Sequence, residues 1–422
     1  MIRIQKIDEI NLQQGLPETR DGDLAGDVAE IVANVRERGD KALREYTLKF
    51  DGVQVEDFEV SDSEMDEALN SVEKEFLQVL EEAKENICRF HEKQKRDDLI
   101  IFEEGGKILG QKHTPIERVG LYVPGGTAVY PSTVLMTVIP AKIAGCAQIS
   151  IVSPPDRAGK ISPLILAAAK ITGVSQVYKV GGAQAIAALA YGTQSVEKVF
   201  KIVGPGNRYV AEAKRQISGA VGIDMIAGPS EILIIAEKNA NPGFIAADLL
   251  SQAEHDIYAR PILLTDDQEL AQAVRDQIEI RLPDLIREDI ARKSIEEQGF
   301  IVICESREQM FDLSNAIAPE HLELMTTDPV SDLGLVKNAG SVFLGEYTPE
   351  ATGDYFSGTN HTLPTSGTAR FASPLSVDDF IKKTQFSFYT LEALTRDAEA
   401  MMHFARKEGL TAHANSVKER IQ

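Results

Sequence analysis

The chain has 422 residues, 43% of them hydrophobic and 26% charged, the balance of a globular protein with room for more than one core. Its formal net charge of -21, from 44 basic and 65 acidic residues, argues against a nucleic-acid partner, because binders of phosphate backbones present a basic face. No window approaches the roughly 18 apolar residues of a membrane span, and Cys88, Cys146 and Cys304 lie too far apart in sequence for a CxxC pair, so neither a disulfide framework nor a cysteine-rich zinc site is expected.

The opening residues, MIRIQKIDEINLQQ, hold no apolar stretch of the signal-peptide kind, and cytoplasmic residence is the expectation. Between Gly22 and Phe50, Leu24, Val28, Ile31, Val32, Val35, Leu43 and Tyr46 recur at helical spacing, with a break near Gly39 that predicts a helix pair. A long helix from Ser63 to about Lys95 is expected next, opened by Ser61 or Ser63; His91 on it reads as a surface or packing residue. The hairpin-like GGKILGQK follows, with His113 in the loop after it.

From residue 116 onward the pattern alternates. Strands are predicted at 116–123, 149–152, 177–180, 198–203 and 232–236, and helices at 134–147, 161–172, 183–191 and 208–217. A second run gives a helix over 242–254, a strand over 259–264, a helix over 267–281 and strands over 299–303 and 341–344. Short β-branched strands alternating with helices of about ten residues predict α/β architecture with parallel, doubly wound sheets. The expected division is an N-terminal segment over 1–20, a larger α/β lobe from 21–118 plus 237–375, a smaller lobe over 119–236 inserted in it, and a helical tail over 376–422. The stretch from Thr348 to Ser376 is rich in Gly, Ser, Thr and Pro and too long for an idle connection, while Tyr355, Phe356, Leu363 and Phe371 argue against disorder. Ser376-Val377-Asp378-Asp379 has the form of a capping box, and the tail beyond it reads as helical with an interruption at Gly409.

Parallel sheets bind ligands beyond the carboxyl ends of their strands. Three strand-to-helix turns there are glycine-rich: Val123-Pro-Gly-Gly-Thr127, Val180-Gly-Gly-Ala-Gln184 and Val203-Gly-Pro-Gly-Asn207. Glycine lets an anionic ligand approach the N–H groups at a helix start. The third turn lacks the last glycine of a dinucleotide fingerprint, since Tyr209 stands there, so each turn alone is as compatible with structure as with binding.

Gln252 and His255 are three apart on a predicted helix and face one side, a spacing that suits two metal ligands and also arises by chance. Glu320 and His321, after Pro319, form an acid/base pair in a turn; they could transfer protons near neutral pH or be a helix-end charge pair. Asp354 and His361 lie in the loop TGDYFSGTNH, and Glu408 and His413 flank Gly409. Together these groups could supply a mixed nitrogen and oxygen shell of the kind zinc accepts. His403 reads as a surface residue of the penultimate helix.

The segments GLYVPGGTAVYPSTVLM, VGGAQAIAALAYGT, KIVGPGN, IDMIAGPSEIL, ADLLSQAEH, APEHLEL, AGSVFLGEYTPEATGDYFSGTNHTLPT and EGLTAHANSV resemble the histidinol dehydrogenase family, colinearly over nearly the whole chain. The resemblance implies two Rossmann-like lobes and oxidation of L-histidinol through L-histidinaldehyde to L-histidine with two NAD, the last step of histidine biosynthesis. It implies one Zn2+ per subunit on Gln252, His255, Asp354 and His413, with Glu320 and His321 as catalytic acid and base. Ser230, His321, His361 and Glu408 match substrate-holding positions alongside the metal ligands, and Tyr122, Gln184 and Asn207 match cofactor-contacting ones. It further implies a homodimer in which the C-terminal tail, with Glu408 and His413, reaches the partner's site. A relative of the same fold acting on another hydroxyl compound, a metal hydrolase and a non-catalytic binding module are the alternatives; the hydrolase leaves the glycine-rich turns and Asn207 without a task.

Overall fold

Residues 1–6, 22–125, 129–174 and 176–422 are described by the computed structural model; most of the expected N-terminal segment, and Gly126 and Thr127 of the first glycine-rich turn, lie outside the described residues. In chain order, β1 (Arg3–Lys6) precedes the helices α1 (Gly22–Arg38), α2 (Asp40–Asp51), α3 (Asp62–Ser71) and α4 (Lys74–His91), after which come β2 (Leu99–Glu103) and β3 (Lys107–Pro115). An alternating run then gives β4 (Arg118–Tyr122), α5 (Pro131–Ala144), β5 (Gln148–Ser153), α6 (Pro163–Thr172), β6 (Gln176–Lys179), α7 (Gly182–Tyr191), β7 (Lys201–Val203), α8 (Arg208–Ile217) and β8 (Gly222–Ile223). The second run is β9 (Glu231–Ala236), α9 (Pro242–Ala253), β10 (Arg260–Thr265), α10 (Gln268–Arg281), α11 (Glu288–Glu297), β11 (Phe300–Ile303), α12 (Arg307–Ile317), β12 (His321–Met325), α13 (Pro329–Asp332) and β13 (Ser341–Leu344). Then β14 (Ile381–Tyr389), α14 (Leu391–Lys407) and α15 (Thr411–Lys418) follow.

Two parallel sheets form the cores, as the alternation predicts. One has five strands in the order β6-β5-β4-β7-β8, the other six in the order β1-β11-β10-β9-β12-β13. Along β9, Ile232 and Ile234 pack with Leu249 of α9 and Val274 of α10, while Leu233 and Ile235 pack with Met310 of α12 on the opposite face. That two-sided burial is what a central parallel strand needs, and it makes the strand a continuous apolar run.

Several elements depart from the sequence reading. The strand expected to close the smaller lobe is β9, and it hydrogen-bonds between β10 and β12 at the middle of the six-stranded sheet. Helices α1 to α4, expected with the larger lobe, pack on the five-stranded sheet: Val28 and Val35 join Tyr178 and Ile202, and Met65 and Ile87 join Leu121 and Val177. An apolar stripe shows that a helix has a buried face but not which sheet receives it. The expected long helix divides into α3 and α4, and α3 opens on a capping box in which Ser61 and Glu64 satisfy each other's backbone N–H. His113 lies within β3 opposite Lys383, and the tail begins with β14, which pairs antiparallel with β3 and, through it, with β2. His91 is fully buried, with its Nδ1 2.7 Å from Gln94 Oε1, while His403 is exposed.

Candidate active site

The chemistry-bearing residues converge on the amino edge of the six-stranded sheet. Strands β9, β12 and β13 all start there, with His321 in register with Ile232 and Ser341. Helix α9 follows β9 and runs antiparallel to it, so its carboxyl end returns to the same edge. Asn241 caps the start of α9 through Gly243 N–H, Ile245, Leu249 and Leu250 anchor its buried face, and Gln252 and His255 emerge at its end. The segment after β13 completes the edge: Glu350 and Asp354, four apart in one short helical turn with a π-type bulge, face the same way, and His361 follows.

Glu231, a residue the sequence reading passed over, holds the acid/base pair by its backbone. Its N–H donates to Glu320 Oε2 at 2.8 Å, and its carbonyl oxygen lies 3.0 Å from His321 Nδ1. A carbonyl can only accept, so Nδ1 carries a proton and Nε2 is the nitrogen turned toward Glu350 and Asp354. Nε2 lies 3.7 Å from Glu350 and 3.8 Å from Asp354 Oδ1, with no hydrogen-bond partner, while the ring stacks on Phe343 at 6.0 Å between centroids. The Glu231 carboxylate, 2% exposed, pairs with Arg260 at 2.8 Å and accepts from Ser366 N–H at 3.3 Å, tying the sheet edge to the long loop. Ser230, just before it, is half-buried, and its carbonyl accepts from Arg260 N–H at 2.9 Å.

Electrostatics separate these groups. Burial pushes the Glu320 carboxyl up to about 8, and does the same for Glu350. Burial acts against a charged His321, yet the carboxylates of Glu350, Glu320 and Asp354 raise it well above the usual imidazole range. Asp354 is held below the normal carboxylate value in spite of its burial by His321, His361 and His255. Burial lowers His255 and His361.

A cation fits this site. Among the described residues, His255, Glu350 and Asp354 each offer a ligand atom, and these atoms lie within 4.8 Å of one another. With its amide oriented to satisfy its surroundings, Gln252 donates to both Glu350 oxygens, at 2.6 and 2.9 Å, and its oxygen turns away from that carboxylate. His361 Nε2 is buried without a partner, as a ligand-facing imidazole would be. Glu350 is the member that the sequence reading missed; its four-residue spacing to Asp354 was the available signal. The structure therefore brings Gln252, His255, Glu320, His321, Asp354 and His361 together. It does not bring Glu408 or His413, both of which are exposed, the first capping the end of α14 and the second on α15.

The three residues matched to a cofactor lie along the carboxyl edge of the five-stranded sheet. Tyr122 ends β4 and its buried hydroxyl accepts from Gly182 N–H at 3.0 Å. Gln184 lies in the first turn of α7, 1% exposed, with an unpartnered Oε1. Asn207 caps α8, accepting from Tyr209 and Val210 N–H groups at 3.0 and 3.2 Å, so its amide nitrogen stays free for a ligand. Segment 224–230 links the two edges directly, from the end of β8 to the start of β9.

The family model described as histidinol dehydrogenase matches residues 16–421. The chain belongs to the histidinol dehydrogenase family. It is 56% identical over 395 residues to the histidinol dehydrogenase of Bacillus cereus, covering 94% of this chain and 92% of that one. It is 54% identical to the enzyme of Lactiplantibacillus plantarum, over 93% and 92%. The crystal structure of histidinol dehydrogenase from Elizabethkingia anophelis superposes with a TM-score of 0.94 at 41% identity, covering 100% of this chain and 98% of that one. Membership makes the chain an oxidoreductase and agrees with the mixed α/β fold and its helical C-terminal region.

Proposed function

We propose that this chain is a zinc-dependent, NAD-linked dehydrogenase that oxidises L-histidinol by way of L-histidinaldehyde to L-histidine, the final step of histidine biosynthesis. The observation that carries the reading is the meeting of a mixed nitrogen and oxygen donor set, His255, Asp354 and the Gln252 amide, with the Glu320–His321 pair at one sheet edge. Zinc, when bound on these donors and the partner's His413, supplies a charge that anchors the imidazole and amino nitrogens of the substrate, and NAD supplies the hydride acceptor. His361 and Ser230 in the same chain, with Glu408 from the partner, hold the polar ends of the substrate. Tyr122, Gln184 and Asn207 line the cofactor lobe.

In its neutral form, which a positive charge held by the neighbouring carboxylates would favour, His321 takes the hydroxyl proton at Nε2 as the first hydride leaves, and Nδ1 stays bonded to the Glu231 carbonyl so that the ring does not turn. The aldehyde stays in the site. Glu320 takes a proton from water as the water oxygen bonds to the aldehyde carbon, and His321 returns its proton from Nε2 to the former carbonyl oxygen, which yields the hydrate and leaves the ring neutral again. His321 then removes the hydrate proton as the second hydride leaves. Burial, which pushes Glu320 up to about 8, makes its carboxylate a strong base but leaves it largely protonated near neutral pH, so the group acts in its ionised form.

The dimer belongs to the same proposal. Ile100 and Phe102 on β2 and Phe388 on β14 are exposed, as is Phe404 on α14, and a second copy covering them would carry Glu408 and His413 toward the neighbouring site. The division into a smaller cofactor lobe and a larger catalytic lobe, and residence in the cytoplasm, complete the reading; no described helix is long and apolar enough to cross a membrane. The deciding experiment incubates zinc-loaded protein with L-histidinol and NAD and counts NADH per histidine formed. Two supports the proposal, and one with free aldehyde overturns it.

A further inference from the structure

Lys214 and Asp224 form an ion pair whose side chains are 2% and 0% exposed. Burying two charges strips both of water, and a hydrophobic pair of similar volume often serves stability as well. The pair's partners show what the charges are used for. Asp224 Oδ2 accepts from Gly204 N–H at 2.7 Å, and Lys214 Nζ donates to Gly204 O at 3.0 Å. Gly204 lies one residue beyond the β7–β4 ladder, which ends at Val203 opposite Leu121, so neither of its backbone groups has a strand partner. One ion pair satisfies both.

The position is tightly confined. Gly204 has φ +117°, and a Cβ there would sit 2.2 Å from the Tyr122 carbonyl oxygen. The turn 204–207 is thus pressed against Tyr122, whose hydroxyl in turn accepts from Gly182 N–H. Lys214 holds the turn from α8, the helix that Asn207 caps, and Asp224 holds it from the segment that continues to Ser230 and Glu231.

We propose that Lys214 and Asp224 are positioning residues that fix the Gly204–Asn207 turn for the cofactor and tie it to the segment leading to the catalytic edge. The inference rests on the cofactor assignment proposed above. Its test titrates NAD at saturating L-histidinol with zinc-loaded Lys214→Met, Asp224→Asn and Asp224→Glu, the last keeping the charge but moving the carboxylate off Gly204 N–H. The expected result is a KM for NAD raised about tenfold or more, with kcat within about threefold and with zinc content and the KM for histidinol unchanged. NADH binding followed by its fluorescence weakens in parallel. An NAD KM within about twofold of the parent in the folded variants overturns the proposal. So does an equal loss of NAD, histidinol and metal affinity, or failure of all three variants to fold, since either would mark a purely structural pair. A parent that forms no NADH, or shows no saturation with NAD, would instead remove the cofactor reading itself.

Discussion

The backbone N–H of Glu231 donates to the carboxylate of Glu320 at 2.8 Å, joining the first residue of β9 to the residue that precedes β12. Because the Glu231 carbonyl also holds His321 Nδ1, one peptide-flanked residue sets the geometry of both proposed proton-transfer groups. The two side chains are adjacent in sequence, yet they are assigned different protons, and their replacement should separate the two oxidations. In Glu320→Gln, aldehyde oxidation is expected to fall by about a hundredfold or more, while alcohol oxidation falls far less. Single-turnover rates with histidinol and with histidinaldehyde measure this; equal losses would remove Glu320 from the water-activating role.

Arg260 supports the same point from behind. Its partner Glu231 is 2% exposed, and removing one member of a buried pair leaves the other uncompensated. Arg260→Met should lower stability by about 3–5 kcal/mol, and adding Glu231→Gln should recover part of that loss. Urea midpoints of the single and double variants supply the comparison. A double variant no more stable than Arg260→Met would show that the charge is not what is being compensated.

Much of this arrangement was legible beforehand, and what was not has physical reasons. Gln252 with His255, three apart at a predicted helix end, and Glu320 with His321, adjacent in a predicted turn, stood out as candidates, but each pair was as compatible with a structural role until the fold set both at one sheet edge. Glu231 could not be read, since it contributes its backbone, and every residue has one. Glu350 stood in a glycine-rich stretch without periodicity, where its spacing to Asp354 carried meaning only once the segment was known to turn helically. The sequence IKKTQFSFY of β14 carries no core-facing alternation, as most of it is exposed on the chain alone, so its pairing with β3 was hidden. The edge that carries the proposed site also runs against expectation: the glycine-rich turns lie at carboxyl ends of strands, but the donor cluster lies at amino ends, reached by the return of α9.

Metal dependence should follow the donor set. His255→Ala and Asp354→Asn each remove a donor and are expected to release zinc and abolish turnover, while a Tm within a few degrees of the zinc-free parent shows that the fold survives. Metal content after dialysis, read by atomic absorption, decides the point. Full activity after exhaustive chelation would contradict a metal role.

Asp51 offers a prediction away from the site. It ends α2, where the partial negative charge of the helix terminus disfavours a carboxylate, and burial pushes it from 3.8 up to about 6. A carboxyl raised in the folded state favours the protonated form, so its contribution to stability is complete below the unfolded value and is lost as pH rises through about 6. Asp51→Asn should therefore raise Tm most at pH 8 and distinctly less at pH 4.5. Because the group is partly exposed, the gain is about 1 kcal/mol once screening is allowed for. A Tm gain equal at both pH values would point to packing instead of charge.

Glu408 and His413 bring the partner into the argument. Both are exposed, Glu408 at the carboxyl cap of α14 and His413 on α15, outside the cluster that holds His255. If His413 completes the neighbour's site, His255→Ala and His413→Ala proteins should each be inactive alone and regain activity when their subunits are exchanged. In a mixed dimer, the site built on the intact His255 receives its His413 from the other chain, while the second site lacks both. Random reassortment makes half the dimers mixed, so activity should return to about a quarter of the parent value. Mixing that restores nothing, with exchange verified by a tagged subunit, would place His413 in the site of its own chain.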